Sequence, residues 1–327
     1  MSIDVPPRDE HAAVTGAVRA HLRDCPHGLV LVAVSGGADS LALAHAAHQV
    51  AGDRQLGAIL VDHALQPHSA EVIAAAAARC RDLGLAPVTI ATIAVTDRRG
   101  GLEAGARRAR YAAIDDVAHA GGAVAVLLGH TRDDQAETVL LGLLRGSGAR
   151  TMSGMRAVDG IWRRPLLDIP RAATRAYCRA HGLAFHDDPM NADEHHVRVR
   201  LRRRVLPALR AHVGEGIVRG MARSAQLLRE DDEALTLWAL DARRAVTDPE
   251  DGSLKVQALC DLPRAVRSRI LRTALIGAGC PAGALSRAHL DSVDDLLTAW
   301  HGQGPPALPG GVIVRRRSGR LLITPAP

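Results

Sequence analysis

Aromatic residues are nearly missing: three Trp, two Tyr and one Phe occur in 327 residues. A core built on stacked rings is therefore excluded, and the interior has to be assembled from Ala, Val, Leu and Ile. The same scarcity rules out widespread stacking on nucleobases. Tyr111, Trp162, Tyr177 and Phe185 are the few candidates in the N-terminal part. Lysine is almost absent too. Lys255 stands alone, so the net charge of +6 is nearly all arginine. A basic balance fits a polyanionic partner, but coding bias produces the same skew, so the clustering of the arginines carries more weight. No apolar run approaches the roughly 18 residues that a membrane span needs. The N-terminal MSIDVPPRDE shows no basic-then-apolar leader. A cytoplasmic chain without a membrane partner is expected. The cysteines, Cys25, Cys80, Cys178, Cys260 and Cys280, are odd in number and widely spaced. No CxxC pair exists, which argues against a zinc clip or a disulfide framework and for scattered buried thiols.

What is present is an alternation of strands and helices. Short β-branched runs at 29–34, 57–62, 87–93 and 123–129 are separated by helical periods at 40–51, 69–84 and 102–120, with another helix over 134–144. Such alternation implies an α/β fold, a parallel Rossmann-like sheet with helices on both faces. After Arg145 the pattern changes. A Gly-rich loop leads to WRRPLL, a helix near 170–181, a polar stretch and an arginine-rich segment over 198–210. A long helix over 215–246, helices near 262–278 and 284–299, and a small hairpin over 311–325 come next. Two domains are expected, residues 1–214 as a nucleotide-binding catalytic domain and 215–327 as a smaller, mainly helical one.

The sharpest signal is Ser35-Gly36-Gly37-Ala38-Asp39-Ser40, after a predicted strand and opening a predicted helix. Backbone amides at a helix N-terminus, with glycines admitting a ligand, form an anion site. A carboxylate at Asp39 would repel phosphate unless it holds Mg²⁺. There is no lysine for a Walker A loop and no GxGxxG spacing for a dinucleotide fingerprint. Asp62 and His63 end the second strand, where an open parallel sheet places ligands. Arg107 and Arg110 share a helix face. His130 precedes Asp133, Asp134 and Glu137, whose spacing lets two carboxylates converge to hold Mg²⁺ or an ammonium group. Acids at a helix start are also plain helix-dipole chemistry.

The SGGADS loop resembles that of the N-type ATP pyrophosphatases, the PP-loop superfamily. Together with DHALQ, EAGARRARY, GHTRDDQAETVLLGLLRGSG, RRPLL and DPMNAD it resembles the tRNA(Ile)-lysidine synthetase family, densely over residues 28–210. The resemblance implies a ligase using ATP and Mg²⁺. ATP adenylates the wobble cytidine of an isoleucine tRNA with a CAU anticodon, and free L-lysine then displaces AMP. It implies ATP binding by Ser35, Gly36, Gly37, Ala38, Asp39, Ser40, Asp62 and His63, with the metal on Asp39. Catalytic roles fall to Asp39, Arg107, Arg110, His130, Asp134 and Glu137, His130 as a local base or a polar contact. Lysine is expected on Asp134 and Glu137, and tRNA on Arg145, Asn191, Arg198, Arg200 and Arg202. A homodimer is left open.

The chain departs from the family pattern at Met190, where serine is usual, at His196 for an aromatic residue and at Val199 for asparagine; the arginines around them survive. Two other enzyme classes share the loop. A tRNA thiolase would need paired cysteines, which are lacking. A small-molecule amidating ligase would not need basic surfaces in an appended helical domain.

Overall fold

The computed structural model describes residues 8–62, 69–94, 102–146, 148–187 and 193–325. It divides into two compact units, Met1–Gln226 and Leu227–Pro327.

In the first unit, α1 (Arg8–Arg23) leads to β1 (Val30–Ala33), α2 (Ala38–Val50), β2 (Leu56–Asp62), α3 (Ser69–Asp82), β3 (Val88–Thr92), α4 (Leu102–Ala120), β4 (Ala125–Leu127) and α5 (Arg132–Leu144). A short turn, α6 (Ala149–Met152), precedes β5 (Val158–Asp159) and β6 (Trp162–Arg163). Then come α7 (Arg171–Ala180) and α8 (Val197–Arg200), a π-helical turn over Leu201–Val205, α9 (Leu206–Val213) and the long α10 (Gly216–Val246). The sheet order is β3-β2-β1-β4-β6-β5. All neighbours run parallel except β5, which is antiparallel to β6.

Period-two alternation assigns the two faces. Val30, Val32, Ala58, Leu60, Ala125 and Leu127 point to a core shared with α1, α2, α3 and α7. Leu31, Ile59, Val61 and Val126 point the other way, to Ile114 and Ala118 of α4. The interior is aliphatic, as the composition requires; Tyr177 is the one aromatic among the largest fully buried side chains. The chain leaves β1 toward β2 and β3 on one side and returns to β4 on the other. The strand order therefore reverses between β1 and β4, and a crevice opens beyond their carboxyl ends. Both candidate segments, 35–40 and 129–137, begin there.

A smaller apolar cluster holds α5 to the π-helical turn, α9 and the start of α10. Ala136 and Leu140 of α5 pack there with Leu201, Leu206 and Val218. The boundary expected at 214 falls on Gly214, the C-cap of α9, whereas the compact units divide inside α10.

The second unit comprises the later part of α10, β7 (Leu254–Lys255), α11 (Val256–Cys260), α12 (Arg264–Gly277), α13 (Arg287–Thr298) and the hairpin β8 (Ile313–Arg317) and β9 (Arg320–Thr324). β9 pairs with both β7 and β8 in a three-stranded sheet. Leu259, Ile270, Leu271, Leu275 and Leu296 form its core. A buried bidentate pair, Arg267 Nε and Nη2 to Asp294 at 2.6 and 3.0 Å, joins α12 to α13. Among the described residues no helix is long and apolar enough to cross a membrane.

Candidate active site

The loop after β1 is a tight, internally braced turn. Gly36 holds φ +82°, a left-handed conformation that a side chain would strain. Gly37 is the N-cap of α2, so the first amides of that helix face the crevice. The two serine hydroxyls are 3.2 Å apart, and Ser40 Oγ also accepts from the Ser35 amide at 3.1 Å and donates to Gly37 O at 2.9 Å. These bonds brace the turn from inside. From above, the His186 amide donates to Gly36 O at 3.0 Å.

Thr131 caps α5. Its amide and hydroxyl donate to Asp134 Oδ2 at 2.8 and 2.7 Å. One oxygen of Asp134 thus serves the helix start, and the other, Oδ1, is turned to arginines from later segments. Oδ1 meets Arg171 Nη2 at 2.5 Å and Arg202 Nη2 at 3.3 Å. Glu137, whose side chain is fully buried, takes Arg171 Nη1 at 3.2 Å and Arg202 Nε and Nη2 at 2.7 and 3.0 Å. Asp39 accepts from the Thr174 hydroxyl and lies 3.5 Å from Arg171 Nε. Asp133 turns away to accept the Arg171 amide at 2.8 Å and Arg210 Nη2 at 2.6 Å. It satisfies an orphan donor at the start of α7.

Burial raises the Asp39 carboxyl above its ordinary value, against the opposing bonds from Thr174 and Arg171. Burial would raise Asp134 as well, but Arg171 and the Thr131 bonds outweigh it and hold Asp134 below the usual range. His130 goes the other way. Burial, aided by Arg164, Arg107 and Arg110 and opposed by Asp134, lowers it to about 3. Its Nδ1 is buried without a hydrogen-bond partner among the described residues. Burial thus favours the neutral ring.

Two family models match the chain. The PP-loop domain covers residues 12–209 and the TilS substrate binding domain covers 254–322. The tRNA(Ile)-lysidine synthase of Streptomyces coelicolor is 52% identical, over 90% of this chain and 85% of the relative. That of Thermobifida fusca is 46% identical, over 96% and 97%. The chain belongs to the tRNA(Ile)-lysidine synthase family. A solved U34-tRNA thiolase, NcsA of Methanococcus maripaludis, shares the fold at 19% identity, with a TM-score of 0.57 over 68% of this chain and 80% of its own.

In this lysidine synthase homologue the structure brings Asp39, His130, Asp134 and Glu137 to one crevice and adds residues that the sequence reading passed over. Arg171 and Thr174 come from α7, and Gln135 anchors α5 by a two-bond clamp on the Met155 backbone at 2.8 and 3.0 Å. Arg107 and Arg110 lie against Tyr111, their guanidinium carbons 5.0 and 6.0 Å from its ring centre. Asp62 is buried at the end of β2. Arg145 is exposed at the C-cap of α5. Arg200 is exposed and donates to Glu194 and His195 carbonyls, while Arg198 reaches Thr138 Oγ1 at 3.3 Å. Arg202, expected on tRNA, points inward to Glu137 instead. His63 and Asn191 lie outside the described residues, as does Met190.

Gly129 makes a sharp test of the crevice. A Cβ there would stand 3.1 Å from both Ser40 N and Ser40 Cα, and 3.2 Å from Asp39 C. These are backbone atoms of the phosphate loop, so Gly129→Ala must push the loop outward by a few tenths of an ångström. Since about 1 Å of misplacement can cost 10²-fold, kcat/KM for ATP is expected to fall roughly 10-fold with an unchanged KM for tRNA. Steady-state kinetics at varied ATP checks this.

Proposed function

We propose that this chain is an ATP-dependent carbon–nitrogen ligase that makes lysidine in a CAU-anticodon tRNA(Ile). The wobble cytidine oxygen attacks the α-phosphorus of ATP, the α–β anhydride bond breaks and pyrophosphate leaves. The side-chain amine of free L-lysine then attacks the activated ring carbon, AMP departs and the amine gives up a proton. The product pairs with A rather than G, which changes decoding from AUG to AUA. The observation that carries the reading is the meeting, at the β1/β4 crevice, of a phosphate cradle and a cluster of carboxylates on the next helix over.

Each part of the site has a role in that scheme. The amides of 36–40 and the two serine hydroxyls cradle pyrophosphate. Asp39 presents a hard carboxylate at the loop, the donor that Mg²⁺ takes when substrate phosphates complete its shell. Bound there, Mg²⁺ would neutralise charge on the departing pyrophosphate. Arg107 and Arg110 offset charge at the α-phosphate. Asp134 Oδ1 and Glu137 receive the lysine amine. The basic surface of Arg145, Arg198 and Arg200 faces tRNA phosphates. Sulfur transfer has no support, because Cys178, the thiol behind the loop at 3.3 Å from Ala38 O, is buried and pushed up to about 11.

The test is incorporation of isotopic lysine into an unmodified CAU-anticodon tRNA(Ile) transcript with ATP and Mg²⁺. Label at the wobble cytidine, dependent on ATP and lost in Asp39→Ala, is the expected result. AMP release without lysine label sinks the lysidine reading and keeps an adenylating one.

A further inference from the structure

We propose that Arg171 is a positioning residue that ties the carboxylate on the ATP side of the crevice, Asp39, to the pair on the amine side, Asp134 and Glu137, and so sets the spacing between the two half-sites. The inference rests on the reading that lysine is held by Asp134 and Glu137. The geometry is specific. Each nitrogen of the guanidinium takes a different carboxylate: Nε lies 3.5 Å from Asp39, Nη1 3.2 Å from Glu137 and Nη2 2.5 Å from Asp134. A planar fork with fixed donor angles can impose such a spacing, and a point charge on a flexible stem cannot.

The base of the fork is itself fixed. Arg171 opens α7, its amide is bonded to Asp133 of α5, and one turn on Thr174 donates to Asp39. Ala173, Tyr177 and Cys178 of the same helix are buried in the main core. The first turn of α7 therefore contacts the phosphate-loop helix through Asp39 and α5 through Asp133, Asp134 and Glu137. A displacement of either acid set relative to the other breaks a bond to Arg171. The donors of this guanidinium are committed to carboxylates, so the residue acts through them.

Arg171 also holds the Asp134 carboxyl below its ordinary range. Asp134 is buried among charged groups from every element around it. Arg202, His130, Asp39, Asp133 and Glu137 surround it, and Arg164, Arg107 and Arg110 act from beyond His130. Arg171 is the largest of the influences that hold its charge. Without the guanidinium, burial pushes this carboxyl upward.

Arg171→Lys and Arg171→Ala are the variants to compare with wild type in the lysine-incorporation assay, alongside thermal unfolding. Arg171→Lys is expected to unfold within a few degrees of wild type and to raise KM for lysine at least 10-fold with a smaller change in kcat, because an ammonium keeps the charge and loses the fork. Arg171→Ala is expected to regain part of its turnover when guanidinium ion is added at millimolar concentration. An Arg171→Lys enzyme with wild-type KM for lysine overturns the inference. So does an Arg171→Ala loss that tracks loss of folded protein and is unmoved by guanidinium. Wild type that incorporates no lysine sinks the functional reading instead, and the two failures are separated in one experiment.

Discussion

Glu137→Gln is expected to lower stability by about 3 kcal/mol and to remove lysine incorporation, the largest combined loss of any single substitution in the site. The side chain of Glu137 is fully buried, and both of its oxygens are occupied by Arg171 and Arg202. Glutamine is nearly isosteric, so packing survives. Its amide nitrogen, however, turns hydrogens toward a guanidinium, and two arginines lose the charge that balanced them. Breaking a buried ion pair from one side costs about 3–5 kcal/mol. Arg171 and Arg202 retain 20% and 29% of their side-chain exposure, which places the cost at the lower end. Chemical denaturation reads the stability term. A companion variant carrying Glu137→Gln with Arg202→Met separates the two effects. It is expected to recover part of the stability, because one uncompensated charge is gone, and none of the activity, because the amine still lacks its acid.

The second large effect is acid lability through His130. Its folded value of about 3 lies well below the ordinary 6.5. Between those values the unfolded chain binds a proton at this position and the folded chain does not. Stability therefore falls as pH drops, by up to about 1.4 kcal/mol per pH unit for one proton. His21, His45 and His181 are lowered too, each chiefly by burial, and add slope in the same direction from pH 6.5 downward. Asp134, held below the ordinary 3.8, contributes only at still lower pH. Asp39 is raised, so the folded chain takes up that proton more readily and opposes the trend above pH 3.8. His130→Gln keeps a polar side chain without a titrating ring. Denaturation at pH 7, 6, 5 and 4 is expected to give a flatter decline for this variant, by close to one proton. Parallel curves would show that His130 is solvated and titrates normally.

Much of the catalytic unit was legible in the linear pattern. The strands were short and β-branched, the helices between them were long enough to read, and the phosphate loop stood where a strand gave way to a helix. Weak elements were missed for a physical reason. β5 and β6 are two residues each, too short for any periodicity, so WRRPLL carries no strand signal although Trp162 and Arg163 pair with β4. Acids at 134 and 137 were legible because three-residue spacing puts both on one face of a helix.

The arginines were harder. Arg171 begins a helix that carries Arg175 and Arg179 at four-residue spacing, a pattern that describes a solvated face. Arg202 lies in the densest basic run, and its acid, Glu137, is 65 residues away. Nothing local distinguishes it from Arg200, two residues earlier, which is exposed.

By itself, then, the sequence determined the alternating α/β architecture, the strand-to-helix loop at Ser35–Ser40 and the placing of Asp134 and Glu137 on one helix face, because each depends on neighbours within one turn or one strand. Tertiary structure decided which arginines serve the acids and which face solvent, that Asp133 caps α7 while Asp134 pairs with Arg171 and Arg202, and that the His130 ring is buried away from a partner for Nδ1 among the described residues. Those outcomes depend on desolvation and on charges brought together from distant segments, and both exist only once the core has closed around them.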